Sequence, residues 1–533
     1  MSTPARLRYG PDHPATLTEL LARTGPAWSV QDPDGTLGRE AFAELVLRCA
    51  GGLRAAGIRP GERVALWLPN MTAYLAAIFA CARLGVLAIH INTRFRGSEV
   101  GALLRRSKAV AVVTRWGFAP VDFPAIFSAL PAEDRAGVRM VFAAGGTPVP
   151  ATIAGLDVRP LAGDGAAAGP DDARPDSPCL TFTTSGTTSG PKLVMHDQQT
   201  IAGHALDVAR RAGLDQPRAG LLGAVPFCGT FGNAAAMAAI AGSARIACLP
   251  VFDGEAAAEL VRSQRLTHLF GGDDMLGRIA TAADGRPFDG IAMSGFAAFH
   301  SGAAESIAAA EAAGLAPRGL YGSSEVQALF SFAQGANRFL GGGQPTNRDA
   351  TLSIRDPETG ADLPVGASGE LWISAPSRFV EYLDNPEATA KAIAPDGAFR
   401  TGDLAHLDGD GFVFEARIGD AMRLGGFLVA PEEIEAFLQA EPGVAGVQVV
   451  AAAREGHNPV PVAFVQADRP NLDVEALLAR CREGLARFKV PARIVLVDRF
   501  PIVESPNGPK VQKVRLRREA EALLNGRPTS ETE

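Results

Sequence analysis

A run of hydroxyl and glycine residues from Thr183 to Gly190, followed by Lys192, is the part of this sequence with the clearest chemical use. Its backbone N–H and side-chain O–H groups can donate hydrogen bonds to a polyanion, and the lysine adds a positive charge. The ligand that best matches these donors is a triphosphate. The run is not a Walker A loop, because Pro191 and Leu193 flank the lysine where that loop has Gly and Ser or Thr. Taken alone, the run also fits a plain flexible turn.

Three later segments carry other groups that a bound nucleotide needs. They are Tyr321-Gly-Ser-Ser-Glu325, Thr401-Gly-Asp403 and Asn507-Gly-Pro-Lys510-Val-Gln-Lys513. A tyrosine ring offers a flat face for a base, carboxylates accept hydrogen bonds or hold Mg²⁺, and lysines offset phosphate charge. Each segment alone has a commoner interpretation. Tyr321 is then a core aromatic and Glu325 a surface carboxylate, Thr401-Gly-Asp403 is a turn, and the lysine segment is a solvated basic face.

Together these segments resemble the adenylate-forming superfamily of acyl-CoA synthetases, luciferases and peptide-synthetase adenylation domains. Five segments are similar, in the family's order and over nearly the whole chain: the phosphate loop (184–194), the Tyr-Gly-x-Thr-Glu segment (321–325), the ribose-binding segment (401–403), the hinge region (Arg417 with Gly426 and 431–435) and the catalytic-lysine segment (507–513). The resemblance implies an enzyme that uses ATP and Mg²⁺ to join a carboxylate to AMP and then passes the acyl group to a thiol.

The resemblance also assigns roles to residues. Attack of a carboxylate on the α-phosphate brings two anions together, so cations and donors are required. Lys510 is the implied catalytic cation, with Lys513 as its rival, and Glu325 is the implied catalytic Mg²⁺ ligand. The residues implied to bind ATP are Thr184, Ser185, Gly186, Thr187, Thr188, Lys192, Ser294, Gly295, Phe296, Ala297, Gly319, Tyr321, Gly322, Ser323, Ser324, Asp403 and Arg417.

The implied acyl pocket is rich in small and apolar residues, which favours an apolar aliphatic or aryl acid. Cys228 is either a reactive thiol or a small buried apolar residue. Asp273 and Asp274 either contact a polar group of the substrate or cap a helix and face solvent. The implied pocket residues are Phe227, Cys228, Phe231, Gly232, Gly272, Gly295 and Gly322, within segments 227–233, 271–275 and 294–297.

The resemblance further implies that a small domain swings between two poses, one for each half-reaction. Gly419 is the implied pivot, where the family usually has an acidic or basic residue. Glycine tolerates the backbone changes of a hinge. Gly425, Gly426 and Phe427 are implied to line the tunnel for the pantetheine arm of CoA.

Alternating strand and helix patterns predict an α/β fold class, with a large multi-subdomain N-terminal domain (residues 1–418) and a small α+β C-terminal domain (residues 419–533), which the resemblance implies is mobile. Residues 63–68 predict a buried strand and residues 71–84 a helix ended by Gly85. Short β-like runs at 352–414 predict a β region that closes a large domain of mixed sheets. The tail predicts strands at 444–451, 460–465 and 493–497 and a helix at 473–485.

Composition narrows the class of protein. The 533 residues are 47% hydrophobic and 20% charged, as in a folded globular protein, and the net charge of −7 argues against nucleic acid as a partner. Six scattered cysteines argue against zinc and against a disulfide framework. With no signal segment and no long apolar run, the sequence predicts a cytoplasmic enzyme without a membrane span.

We therefore expect an AMP-forming acid–thiol ligase whose partners are a small carboxylic acid, ATP and CoA. The sequence leaves open whether the enzyme is a homodimer. No carrier-protein domain is evident, so free CoA is the simplest acceptor. Two alternatives remain open: an enzyme that loads a separate carrier protein or an amine, and a non-catalytic acyl-adenylate sensor. Retention of Glu325, Asp403, Arg417 and Lys510 counts against the sensor.

Overall fold

The computed structural model describes residues 6–163, 165, 167–184, 192–297, 303–333, 341–356, 359–367, 369–418, 422–424, 427–429, 431–454, 457–468, 472–503 and 510–526. Within these ranges, the description leaves out the side chains of residues 303, 304, 404, 415–417, 423, 427, 428, 432, 457, 502, 503, 510 and 514.

The helices of the described part are α1 (Leu17–Arg23), α2 (Arg39–Ala55), α3 (Thr72–Arg83), α4 (Gly97–Ser107), α5 (Phe123–Ala129), α6 (Gln198–Ala212), α7 (Thr230–Ala241), α8 (Gly254–Ser263), α9 (Asp273–Thr281), α10 (Ala303–Ala312), α11 (Pro386–Ala392), α12 (Pro431–Gln439), α13 (Val474–Gly484) and α14 (Lys513–Leu524). Short 3-10 helices lie at Ala132–Asp134 and Arg487–Lys489.

The strands of the same part are β1 (Ser29–Asp32), β2 (Gly35–Gly38), β3 (Arg63–Trp67), β4 (Leu87–His90), β5 (Ala111–Thr114), β6 (Met140–Ala143), β7 (Thr152–Ile153), β8 (Leu156–Pro160), β9 (Pro178–Thr184), β10 (Lys192–Asp197), β11 (Gly220–Gly223), β12 (Arg245–Cys248), β13 (His268–Gly272), β14 (Met293–Ala297), β15 (Pro317–Ser323), β16 (Gln327–Ala333), β17 (Gly342–Pro345), β18 (Thr351–Arg355), β19 (Gly369–Ser374), β20 (Glu381–Tyr382), β21 (Phe399–Asp408), β22 (Gly411–Arg417), β23 (Met422–Leu424), β24 (Phe427–Val429), β25 (Val444–Arg454), β26 (His457–Ala467), β27 (Arg493–Leu496), β28 (Ile502–Val503) and β29 (Lys510–Val511).

Two sheets build the large domain. One has the order β20-β10-β9-β4-β3-β5-β6-β8-β7, and the other β18-β19-β21-β22-β17-β16-β15-β14-β13-β11-β12-β1-β2. The central strands of both sheets, such as β3 with β4 and β13 with β14, are parallel. Parallel strands place their carboxyl ends at one edge of a sheet, where α/β proteins bind ligands.

Both faces of the central strands are buried, which explains their continuous apolar sequence. In β3, Val64 and Leu66 join the core that lies between the two sheets with α2, α3, α6 and α7. Ala65 and Trp67 point to the other face and join the core under α4 and α5. The outer face of the larger sheet packs on α8, α9 and α10. The result is alternating layers of helices and sheets.

The predicted unit of strand and helix at residues 63–84 is confirmed. β3 is followed by α3, whose C-cap is Leu84. Gly85 then takes a φ of +64°, in the left-handed region that glycine adopts without steric cost. This turn lets β4 run parallel to β3, with Leu66 opposite His90 in the register.

The β region predicted for residues 352–414 forms the end of the larger sheet. β17 joins β22 to the rest of that sheet, with Gly342 opposite Val413. At Gly342, where φ is +103°, a Cβ atom would lie 2.2 Å from the carbonyl oxygen of Phe412, so only glycine permits this close approach. The join brings β21 and β22 beside β15 to β17.

The small C-terminal domain has its own cores. The predicted strands and helix of the tail are confirmed as β25, β26, β27 and α13, and α12 and α14 pack on the same three-stranded sheet. No helix in the described ranges is both long and apolar enough to cross a membrane.

Candidate active site

A cavity of about 1730 Å³ opens at the carboxyl ends of the parallel strands of both sheets. Its wall includes Asn92 after β4, Gly272 at the end of β13 and Ala297 at the end of β14. It also reaches Pro459 and Arg487 of the small domain. Small-ligand sites usually measure roughly 300–1,000 Å³, so this cavity has room for more than one substrate.

The predicted adenine and ribose residues meet in this cavity. The Tyr321 hydroxyl donates to Asp403 Oδ2 at 2.6 Å, although the two residues lie on different strands, β15 and β21. Gly402 takes a φ of +70°, and the Asp403 N–H donates to Thr401 Oγ1 at 3.0 Å. The positive φ of Gly402 and this hydrogen bond within β21 explain the Thr-Gly-Asp sequence. Arg417 is the strand partner of Asp403, and its side chain lies outside the described part.

Glu325 lies at the turn between β15 and β16 and lines the same cavity. Its Oε1 accepts a hydrogen bond of 2.8 Å from the Tyr382 hydroxyl. The ammonium of Lys192 lies 4.8 Å from the centroid of the Tyr382 ring. Lys192 and Thr184 are opposite each other in the register of β9 and β10, so both ends of the hydroxyl-rich loop are fixed here. Ser185, Gly186, Thr187 and Thr188 lie outside the described residues.

Ser324, in the segment 321–325, contacts the predicted acyl-pocket segment 227–233. Its hydroxyl lies 2.9 Å from the Thr230 hydroxyl at the start of α7. Its carbonyl oxygen accepts a 2.7 Å hydrogen bond from Nε2 of His196, which is fully buried. Burial lowers the pKa of His196 to about 3, so the imidazole is neutral and serves as a structural donor.

The predicted acyl-pocket residues divide into two groups. Phe231, Gly272 and Gly322 line the cavity, whereas Phe227 and Cys228 are buried beneath it. Burial raises the pKa of the Cys228 thiol to about 11. A neutral thiol in this position behaves as a small apolar side chain.

Glycine is required at two of these positions because a Cβ atom would clash with neighbouring atoms. At Gly232 a Cβ atom would lie 2.3 Å from the carbonyl oxygens of Val225 and Pro226. At Gly295 it would lie 2.5 Å from the Phe270 ring. Along the rest of β14, Ala297 lines the cavity, while Ser294 and Phe296 are fully buried in the sheet. Gly319 is buried in β15.

The interpretation of Asp273 as a solvent-facing helix cap is wrong. The N-cap of α9 is Gly272, and Asp273 is the first residue of the helix, with no exposed surface. Asp274 is half-buried and lines the cavity. Its negative charge raises the pKa of Arg94, although burial is the larger effect and lowers that pKa overall. Asp274 therefore belongs to a charged part of the cavity wall.

The contact between the two domains contains a buried charge cluster that the sequence analysis missed. Lys489 of the small domain lies 3.0 Å from Glu99 on α4 of the large domain and 2.8 Å from Glu433 on α12. Its side chain is 8% exposed. Burial favours the neutral amine, but the two carboxylates outweigh this effect and raise the pKa of Lys489. The Ser98 hydroxyl also donates to the Gly484 carbonyl.

The catalytic-lysine segment lies in the small domain. β29 pairs with β28, with Lys510 opposite Val503, and the side chain of Lys510 lies outside the described part. Lys513 Nζ is 3.7 Å from Glu435 Oε1 on α12, so this rival lysine has a structural partner within the small domain. Gly419, Gly425 and Gly426 also lie outside the described residues, as does the side chain of Phe427.

Known proteins resemble the chain over almost its whole length. The model of the AMP-binding enzyme family matches residues 17–383, and that of the AMP-binding enzyme C-terminal domain matches residues 433–506. The chain therefore belongs to the AMP-binding enzyme family, as the sequence motifs predicted.

Three relatives illustrate this similarity. A feruloyl-CoA synthase from Amycolatopsis sp is 30% identical over 90% of this chain and 93% of that protein. The fatty acid–[acyl-carrier-protein] ligase ScoC from Streptomyces coeruleorubidus is 30% identical over 88% of this chain and 89% of that protein. The structure of the amide bond synthetase McbA from Marinactinospora thermotolerans superposes with a TM-score of 0.80 at 24% identity, over 95% of this chain and 99% of that one. McbA therefore shares the fold, and the predicted fold class is confirmed.

Proposed function

We propose that this enzyme activates a small carboxylic acid with ATP and transfers the acyl group to coenzyme A. In the first step, a carboxylate oxygen attacks the α-phosphorus and pyrophosphate leaves, which gives acyl-AMP. In the second step, the thiol sulfur attacks the acyl carbon and AMP leaves. The match to a feruloyl-CoA synthase over nine tenths of the chain supports CoA as the acceptor.

The observation that carries this proposal is the meeting of Lys192, Tyr321, Glu325 and Asp403 in one cavity. Tyr321 offers its ring to adenine, and Asp403 offers acceptors to the ribose hydroxyls. Each carboxylate oxygen has two lone pairs, so the bond from Tyr321 leaves Oδ2 able to accept another. Lys192 and the loop from Thr184 to Thr188 are assigned to the β- and γ-phosphates.

Mg²⁺ fits beside Glu325. Tyr382 bonds one carboxylate oxygen, Oε1, and the second oxygen is a hard ligand of the kind that Mg²⁺ prefers. Mg²⁺ is commonly held by one or two carboxylates together with substrate phosphates. When bound, the ion supplies positive charge against the phosphates.

The cavity wall favours an apolar acid, aliphatic or aromatic. Phe231, Met275, Leu320, Ala328 and Leu329 line it. These side chains bury apolar surface of a ligand at roughly 25 cal/mol per Å², so an acid with a ring or a chain gains affinity over acetate.

The boundary between the domains supports an acceptor rich in phosphate. Arg94 and Arg96 of the large domain and Arg487 of the small domain all line the cavity. Close to them in the sequence, Phe95 and Lys489 meet across the domain contact, with the Lys489 ammonium 5.1 Å from the Phe95 ring. Guanidinium groups bind phosphates well, and CoA carries three of them.

We further propose that the large domain ends at residue 418 and that the small domain turns about Gly419. This rotation brings Lys510 to the acid and the α-phosphate for the first step. The opposite rotation opens the path for the thiol along Gly425, Gly426 and Phe427. Lys510 then acts only in adenylation, because it neutralises charge that develops in that step alone.

The test is a pyrophosphate-release assay over straight-chain, branched and aromatic acids, with and without CoA. We expect acid-dependent pyrophosphate release that speeds up with CoA, and a lower kcat/KM with dephospho-CoA, which lacks the 3′-phosphate. Absence of acid-dependent release with every acid would leave only the sensor alternative.

A second candidate acceptor is a carrier protein, favoured by the 30% identity to ScoC. In that case the acyl group would move to a phosphopantetheine thiol on a separate protein. Full turnover with a carrier protein but not with CoA would establish this alternative.

A further inference from the structure

Glu325 is held by a segment that has no assigned role. Its carboxylate accepts the Tyr382 hydroxyl at 2.8 Å, and its main-chain carbonyl accepts the Phe379 N–H at 2.6 Å. These two contacts fix both the backbone and the side chain of the proposed metal ligand. The segment at residues 379–382 thus determines where this carboxylate lies in the cavity.

Tyr382 is itself fixed by the fold. It is 4% exposed, and its N–H donates to Thr389 Oγ1 at 3.0 Å. In β20 it lies opposite Val194 of β10, the strand that begins at Lys192. The ring therefore keeps a constant position relative to the start of β10.

The same ring contacts a second charged group. The Lys192 ammonium lies 4.8 Å from the ring centroid, within the range in which a cation is attracted to an aromatic face. One tyrosine thus touches an anion at its hydroxyl and a cation at its ring face. Both charged groups line the cavity.

This arrangement keeps two opposite charges available for a ligand. Without an intervening group, a lysine and a glutamate in a partly buried cavity attract each other strongly. A direct ion pair would take the carboxylate from a metal ion and the ammonium from a phosphate. Tyr382 instead gives Glu325 a hydrogen bond and Lys192 a contact with an aromatic face. Each contact is weaker than a direct ion pair and orients its charged group.

We propose that Tyr382 is a positioning residue for adenylation: its hydroxyl orients Glu325 toward Mg²⁺, and its ring face orients Lys192 toward the terminal phosphates of ATP. This inference rests on the proposed function, because it takes Glu325 as the metal ligand. The two contacts are separable, since one uses the hydroxyl and the other the ring.

Tyr382→Phe removes the hydroxyl and keeps the ring. We expect the Mn²⁺ affinity of the enzyme with a non-hydrolysable ATP analogue, measured by electron paramagnetic resonance of free Mn²⁺, to fall about 5- to 10-fold. The Mg²⁺ concentration for half-maximal adenylation rises by a similar factor. At saturating Mg²⁺ the KM for ATP stays within about two-fold, because the contact with Lys192 remains.

Tyr382→Leu removes both contacts. We expect the KM for ATP to rise about 10-fold even at saturating Mg²⁺, because the lysine loses its aromatic partner and can pair with Glu325. Tyr74→Phe is the matched control. It removes a fully buried tyrosine hydroxyl away from the cavity, which has no hydrogen-bond partner among the described residues, and should leave Mn²⁺ affinity unchanged.

The outcomes are separable from failure of the proposed function. Wild-type enzyme that releases no pyrophosphate with any acid contradicts the function itself. An active wild type with an unchanged Mn²⁺ affinity in Tyr382→Phe overturns the positioning role, whatever the effect on melting temperature. If Tyr382→Leu does not fold, the Mn²⁺ measurement on Tyr382→Phe decides alone.

Discussion

The floor of the cavity and the contact between the domains hold their charged groups in different ways. On the floor, carboxylates of the large domain are fixed by tyrosine hydroxyls of the same domain, Tyr321 to Asp403 at 2.6 Å and Tyr382 to Glu325 at 2.8 Å. At the domain contact, the charge of Lys489 is shared between two carboxylates, one from each domain.

The tyrosine–carboxylate bonds therefore stay fixed when the small domain moves, whereas the contact between Lys489 and Glu99 can break. Bonds within the large domain survive any rotation of the small domain, so the proposed nucleotide site would keep its geometry throughout. Glu433 stays with Lys489 in any such rotation, whereas Glu99 is left behind. A mutation on the floor should therefore change adenylation, and one at the domain contact should change the thiol step.

The largest effect is expected for Lys510→Ala. We expect adenylation to fall by about 10²–10³-fold, because a cation that offsets transition-state charge is lost, while thioester formation from supplied acyl-AMP is largely spared. Lys513→Ala is the matched control and should change adenylation by less than about five-fold, since Lys513 has its own partner, Glu435, within the small domain. Single-turnover assays of each step make the measurement, and equal losses in both steps would contradict the assigned role.

The next largest effect is expected at the hydrogen bond between Tyr321 and Asp403. Asp403→Ala should lower kcat/KM for ATP about 100-fold, because bonds to a charged acceptor contribute about 1.5–3 kcal/mol each. Tyr321→Phe should lower it about 5-fold, because the carboxylate remains but loses one donor. If Tyr321→Phe costs as much as Asp403→Ala, the hydroxyl has a role beyond holding the carboxylate.

A smaller effect is expected at the domain contact. Glu99→Gln removes the partner from the large domain, so the segment that carries Arg487 is held less firmly. We expect the KM for CoA to rise about 5-fold, as is usual for a modest coupling between sites, with adenylation unchanged. Glu433→Gln keeps the pair across the domains and should raise the KM for CoA less. A larger effect on adenylation than on CoA would refute the distinction between the two regions.

Acid stability of the large domain is a separate test, because it measures unfolding and not activity. Burial lowers the folded-state pKa of His90 and of His196 to about 3 from 6.5. Since the unfolded chain takes up these protons and the folded one does not, stability is complete above pH 6.5 and falls toward pH 3, by about 1.4 kcal/mol per pH unit for each group. Urea unfolding at pH 5.5 and 4.5 should show a shallower loss for His196→Gln. Identical losses in wild type and variant would contradict this cause.

Much of the site could be predicted from the sequence because its segments have recognisable local patterns. Thr401-Gly-Asp403 contains a glycine with a positive φ, and the segment 321–325 spans the end of β15 and the turn that follows it. The bond from Tyr321 to Asp403 was not predicted, although both residues were, because pairing between distant strands depends on register.

Tyr382 and Lys489 had no signal in the sequence. Their roles arise from single contacts with residues far away in the chain, Glu325 and Glu99, and neither stands in a pattern of residue types that points to chemistry. For Asp273 the sequence left a substrate contact and a solvent-facing helix cap open, whereas in the structure it is the fully buried first residue of α9. Local patterns therefore predicted the segments of the site, whereas tertiary packing determined how they contact one another.

The central claim is that acid activation and thiol transfer are successive steps. Mixing enzyme, ATP, Mg²⁺ and a suitable apolar acid without CoA, and analysing the quenched products by mass spectrometry, tests it directly. We predict acyl-AMP and pyrophosphate in equal amounts, and conversion of that acyl-AMP to acyl-CoA and AMP when CoA is added. Formation of ADP and phosphate, or acyl-CoA without acyl-AMP as its precursor, would contradict the account.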